Sequence, residues 1–134
     1  MKYALAAISA FLVLTSAAHA GGQYKLEVKA PASVKKGDRV AAQIHVEGAN
    51  GSHINTEFPA KLTVSAPTGV TVEKPSQTKE DAVTLRQEAA VFKIAFTSSE
   101  VGRKDFTGEL RFAICSENSC NTSSETIAFS IDVK

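Results

Sequence analysis

The chain has 134 residues with 15 basic and 14 acidic side chains, a formal net charge of +1. That length suits one domain. So even a balance, with no run of like charge longer than two, argues against a surface that tracks a phosphate backbone and hence against nucleic-acid binding. Two cysteines and no tryptophan argue against a disulfide-dense scaffold and leave out the Cys…Trp…Cys spacing of antibody domains.

Lys2 is followed by an apolar stretch from Ala4 to Leu14, broken only by Ser9, and then by Ala18-His19-Ala20. A basic start, a short apolar run and small residues at a cut form the pattern of a secretory signal. Residues 1–20 are therefore expected to be a cleaved signal and 21–134 a single domain in the periplasm or secreted. The apolar run is short for a membrane span and no cysteine stands at the cut, so no stable membrane anchor is expected.

Strand patterns follow in series. Gln23 to Ala30 places Tyr24, Leu26 and Val28 on one face, and Pro31 ends it. After the turn signal Lys35-Lys36-Gly37-Asp38, Arg39 to Glu47 aligns Val40, Ala42, Ile44 and Val46 and turns His45 the other way. Side chains alternate between the faces of a strand, so each run offers one apolar face to a core. Gly48 to Gly51 breaks the pattern, and Ser52 to Pro59 is an aperiodic loop. Lys61–Ser65 and Val70–Val72 are short strands; Pro75 to Asp81 reads as polar connection. Val83 and Leu85 start a possible strand, and Ala90 to Thr97 is a clear one, with Phe92, Ile94 and Phe96 aligned. Ser98 to Gly102 closes it. Phe106 to Ile114 and Glu125 to Val133 form the final pair. Seven or eight short strands without an amphipathic helix predict an all-β fold, an antiparallel β-sandwich.

The two cysteines, Cys115 and Cys120, lie between the last two strands. Cys115 has the parity of Arg111 and Ala113, opposite to the core-facing Leu110, Phe112 and Ile114; Ser-Glu-Asn-Ser reads as a turn before Cys120. This places the pair near the surface of a hairpin. Closeness across a turn and the absence of other cysteines predict that they bond to each other. The bridge would close six residues, worth about 2 kcal/mol on the loop-entropy estimate. A bridge with an outward sulfur can be opened by another protein's thiolate, although Cys-x₄-Cys lacks the two-residue spacing by which many catalysts activate a thiol. His45 and His53 with Cys115 and Cys120 are suitable atom types for a metal, but neither histidine is near a cysteine in sequence; no metal and no cofactor are expected. No Gly-x-Ser-x-Gly elbow or phosphate-cradling loop is present.

Three segments resemble the N-terminal periplasmic domain of DsbD-type thiol:disulfide interchange proteins. Ser52-His53-Ile54-Asn55 is similar to that family's Tyr/Trp-His-Ile-Asn loop. Pro59 to Val64, followed by Ala66 to Val72, is similar to its Pro-Thr-Lys-Leu…Pro-x-Gly-Val-x-Val strand pair. Gly108 to Cys115, through to Cys120, is similar to its Gly-x-Leu-x-Tyr-Gln-Ala-Cys, turn, Cys, with Phe112 in the tyrosine's place. The likeness runs over about residues 37–133. It implies an immunoglobulin-like fold, a redox-active Cys115–Cys120 pair as the catalytic site, and a thioredoxin-like partner that gives or takes electrons. His53 and Asn55 match the loop signature rather than a catalytic role. Asn121 to Ser124 departs from the family's Leu/Tyr-Pro-Pro. The other reading of the same residues is a non-enzymatic envelope binding or structural module with an inert surface disulfide.

Overall fold

Alternation decides which face of each strand is buried, and the burial follows it: Lys61–Ser65 runs exposed, buried, exposed, buried, exposed. The computed structural model describes residues 13–17 and 22–134. The strands are β1 (Val13–Ala17), β2 (Tyr24–Pro31), β3 (Ser33–Val34), β4 (Val40–Gly48), β5 (His53–Ile54), β6 (Lys61–Ser65), β7 (Val70–Val72), β8 (Ser76–Thr78), β9 (Thr84–Leu85), β10 (Ala89–Ser98), β11 (Gly102–Cys115) and β12 (Cys120–Val133). One 3₁₀ turn, Lys79–Asp81, follows β8. Of the expected leader, only Val13–Ala17 is among the described residues, antiparallel to β2; its remainder and the expected cut before Gly21 lie outside them.

The strands make two sheets, one ordered β1-β2-β4-β10-β7 with β9 beside β10, the other β3-β12-β11-β6-β8 with β5 beside β11. Every pairing is antiparallel except the two-residue contact of β3 with β12. This is the expected immunoglobulin-like β-sandwich. The inner faces supply one apolar core, with Ile44, Phe92 and Phe96 from the first sheet and Leu62, Phe106, Leu110 and Ile127 from the second. Phe106 is the central tie: its ring stacks on Phe129 at 4.6 Å and meets Phe96 of the facing sheet at 4.8 Å. Among the described residues no helix is long and apolar enough to cross a membrane.

Two departures from the expected elements share a cause. Pro75 to Asp81, read as connection, contains β8 on the edge of the second sheet. Its inward residue is Gln77, buried because its Nε2 donates to the carbonyl of Lys93 at 2.8 Å. β11 starts at Gly102, in the stretch read as a closing turn, and its first inward residue is Lys104. The ammonium of Lys104 donates to the Thr68 carbonyl at 3.0 Å and to Glu100 at 3.1 Å. A polar side chain that meets its hydrogen bonds internally can take an inward position, and it hides the strand from an apolar count.

Candidate functional site

The last two strands form the longest hairpin of the fold, paired residue by residue from Gly102 opposite Val133 to Cys115 opposite Cys120. Ser116 donates its backbone N–H to the Ser119 carbonyl at 2.8 Å and closes the turn, as the four-residue turn signal predicts. That bond makes Cys115 and Cys120 the next, non-hydrogen-bonded pair, the position where opposing strands approach most closely. Their Cα atoms are 4.0 Å apart and the two sulfurs are joined in a disulfide.

The halves of the bridge differ in their surroundings. Cys115 is 5 % exposed, and Ala113 and Ile114 beside it are also buried, so both faces of β11 are covered at this end. The parity argument for an outward Cys115 holds in that it stands outside the main apolar cluster, but the side chain is not open to solvent. Cys120, the turn and Asn121–Thr122 are exposed. The difference arises because β11 has neighbours on both sides here, whereas β12 has only β11 until β3 joins it at Asp132.

The neighbour on the far side of β11 is β5, which periodicity in the sequence reads as a loop. Ile54 lies opposite Ile114 and His53 opposite Cys115. Asn55 N–H donates to the Ala113 carbonyl at 2.9 Å and Ile54 N–H to the Gln87 carbonyl at 2.8 Å. Ile54 faces the core at 2 % exposure; His53, one residue earlier, faces outward beside Cys115. The segment can cross here because residue 48 is glycine: a Cβ on Gly48 would stand 2.2 Å from the Ser52 carbonyl oxygen. After Asn55 the chain turns, with Asn55 Oδ1 accepting from the Glu57 N–H at 3.0 Å. The outer row at this end of the sheet is therefore His53, Cys115, Cys120. Two residues of β structure are too few for periodicity to reveal, and the one signal in the sequence was the aliphatic Ile54 between two polar residues.

His45 is elsewhere, on the outer face of β4, with Nε2 2.9 Å from Gln43 Oε1. Of the four residues weighed as metal ligands, His53, Cys115 and Cys120 come together and His45 does not. Among the described residues no group of three or more His, Cys, Asp or Glu is placed to hold a metal ion. A few residues below the tip of the hairpin the Tyr24 ring meets Phe112 edge-on at 4.9 Å and its hydroxyl donates to the Glu125 carboxylate. Burial, then the bond to Glu125 and its charge, raise the Tyr24 hydroxyl above its ordinary range. This contact ties β2 to β12 across the edge of the sandwich.

No family model matches the chain, and no curated protein matches it. Among solved structures, the GAE domain of GGA2p from Saccharomyces cerevisiae is similar over 87% of this chain and 96% of that one, at 8% identity and a TM-score of 0.54. AggA, the major subunit of aggregative adherence fimbriae type I from Escherichia coli, aligns over 87% of this chain and 99% of that one, at 7% identity and a TM-score of 0.42. The first of these likenesses supports the fold and nothing further.

Proposed function

We propose that the protein is an exported thiol:disulfide exchange domain that passes electrons to or from a thioredoxin-like protein through Cys115 and Cys120. The observation that carries this reading is the placement of the bridge: at the tip of a hairpin, beside the main apolar cluster rather than in it, with one cysteine exposed and its partner covered. The resemblance of the surrounding segments to DsbD-type domains supports the same reading, and the leader pattern supports a location outside the cytoplasm. In the reducing direction a partner thiolate attacks Cys120 Sγ, the exposed side. The sulfur–sulfur bond breaks, its electron pair stays on Cys115, and a mixed disulfide joins the partner to Cys120. A second partner thiolate then attacks the partner's own sulfur in that mixed disulfide. Cys120 leaves as thiolate, two electrons have passed to this chain, and the partner carries the new disulfide. The oxidising direction is the reverse.

The test is equilibration of the pair with glutathione, joined to trapping by a thioredoxin-like protein that lacks its resolving cysteine. The expected result is a potential above roughly −300 mV, the region below which structural bridges lie, and a trapped complex. A potential well below that value with no trapped complex would leave the inert bridge of a binding or structural module as the better account.

A further inference from the structure

We infer that His53 stabilises the Cys115 thiolate when the disulfide opens, so that Cys115 is the departing sulfur and Cys120 the one attacked; this rests on the exchange reading above. The carrying observation is strand register. Asn55 hydrogen-bonds opposite Ala113, Ile54 is opposite Ile114, and His53 is directly opposite Cys115. Residues directly opposite in an antiparallel pair share a face, with Cβ atoms about 5 Å apart. The imidazole thus flanks Cys115 on the side away from Cys120, one cross-strand step from the sulfur that takes the electron pair.

A covered sulfur needs this help. Cys115 is 5 % exposed, so water solvates its thiolate poorly and burial alone would favour the neutral thiol. A neighbouring histidine that donates a proton or hydrogen bond lowers a thiol's pKa, and a thiol of lower pKa departs faster in exchange. No other group competes for the ring, since among the described residues the His53 side chain has no hydrogen bond and no ion pair. The ionisable side chains on the elements around it are His45 and Glu47 on β4, Lys93 on β10 with Arg86 and Glu88 before it, Arg103, Lys104, Asp105, Glu109 and Arg111 on β11, Glu117 in the turn and Glu125 and Asp132 on β12, with Glu57 after β5 and Lys79 reaching the carbonyls of Thr56 and Glu57. None of them is bonded to it. Glu117, the one carboxylate between the cysteines, would disfavour a thiolate through like charge; His53 is the donor directly opposite Cys115 in register.

The step balances. The incoming thiolate forms a bond to Cys120 Sγ, the Cys115–Cys120 bond breaks, and the pair of electrons goes to Cys115 Sγ. The His53 N–H then donates to that sulfur, as a hydrogen bond from neutral imidazole or as a transferred proton from imidazolium.

Two measurements on the full chain test this. In Cys120→Ser protein, which keeps a single thiol, the Cys115 titration followed by thiolate absorbance should move up by about one unit when His53 is changed to Gln, about a tenfold loss of thiolate near neutrality. In protein with both cysteines, the rate of opening by reduced glutathione, normalised for glutathione thiolate, should fall about tenfold in H53Q. Mass mapping of the mixed disulfide should find glutathione on Cys120 in the unaltered chain. An unchanged Cys115 titration in H53Q, or glutathione shared equally between the two sulfurs in the unaltered chain, overturns the role of His53 and leaves the exchange reading standing. A bridge that resists both glutathione and dithiothreitol removes the exchange reading itself.

Discussion

Tyr24 is the residue that holds the cysteine end of the hairpin against the first sheet, through its ring on Phe112 and its hydroxyl on Glu125. Its hydroxyl is raised first by burial and then by the carboxylate it faces. The sign of the resulting pH dependence is fixed. A group whose value is raised on folding contributes stability below its unfolded value, near 10 for tyrosine, and loses that contribution as pH rises through the folded value. Tyr24→Phe should cost about 1 kcal/mol at neutral pH, the ordinary worth of one hydrogen bond. The variant should also lose stability less steeply than the parent above about pH 10, since Phe has no proton to lose. Urea midpoints at pH 8 and pH 11 check both points; parallel losses in the two proteins would show that Glu125 does not hold the phenol.

At the scale of elements, β5 depends on a missing side chain. Gly48 lets Ser52 and His53 cross the end of β4, and a Cβ there would collide with backbone rather than with a flexible side chain. Gly48→Ala should cost about 1–3 kcal/mol, the range for overpacking, and should detach β5 from β11. Hydrogen exchange at the Asn55 amide, now bonded to Ala113, reports that detachment. Protection of Asn55 equal to that in the parent would show that the strand does not need the glycine. The same element marks how far sequence could be read. β6 and β7 were legible to the residue, and β4 and β10 to within a residue or two, because each alternates apolar and polar side chains. β5 was not, since it has one inward side chain, and β8 and the start of β11 were not, since their inward residues are Gln77 and Lys104. For the site, the cysteine pairing and its turn could be read locally. The register that sets His53 opposite Cys115 could not, because the two are far apart in sequence.

On the scale of the whole molecule, the bridge and the core make unequal contributions. The disulfide closes a segment between residues five apart, so on the loop-entropy estimate it adds about 2 kcal/mol at most, less whatever order the turn already has. Phe106 joins both sheets: it stacks on Phe129 and meets Phe96, and it is 1 % exposed. Truncating such a side chain removes its transfer energy and leaves a cavity, typically 3–5 kcal/mol. An exchange protein must survive having its bridge opened, and this division of labour permits that: reduction should loosen the tip of the hairpin while the sandwich stays folded. The prediction is that the fully reduced protein, and the Cys115→Ser/Cys120→Ser variant, unfold cooperatively in urea with a stability loss smaller than that of Phe106→Ala. Amides in β4 and β10 should keep their protection on reduction, while those of Ser116 and Ser119 lose it. If reduction instead unfolds the domain as a unit, the bridge is a structural staple, and the case for cycling it in exchange is gone.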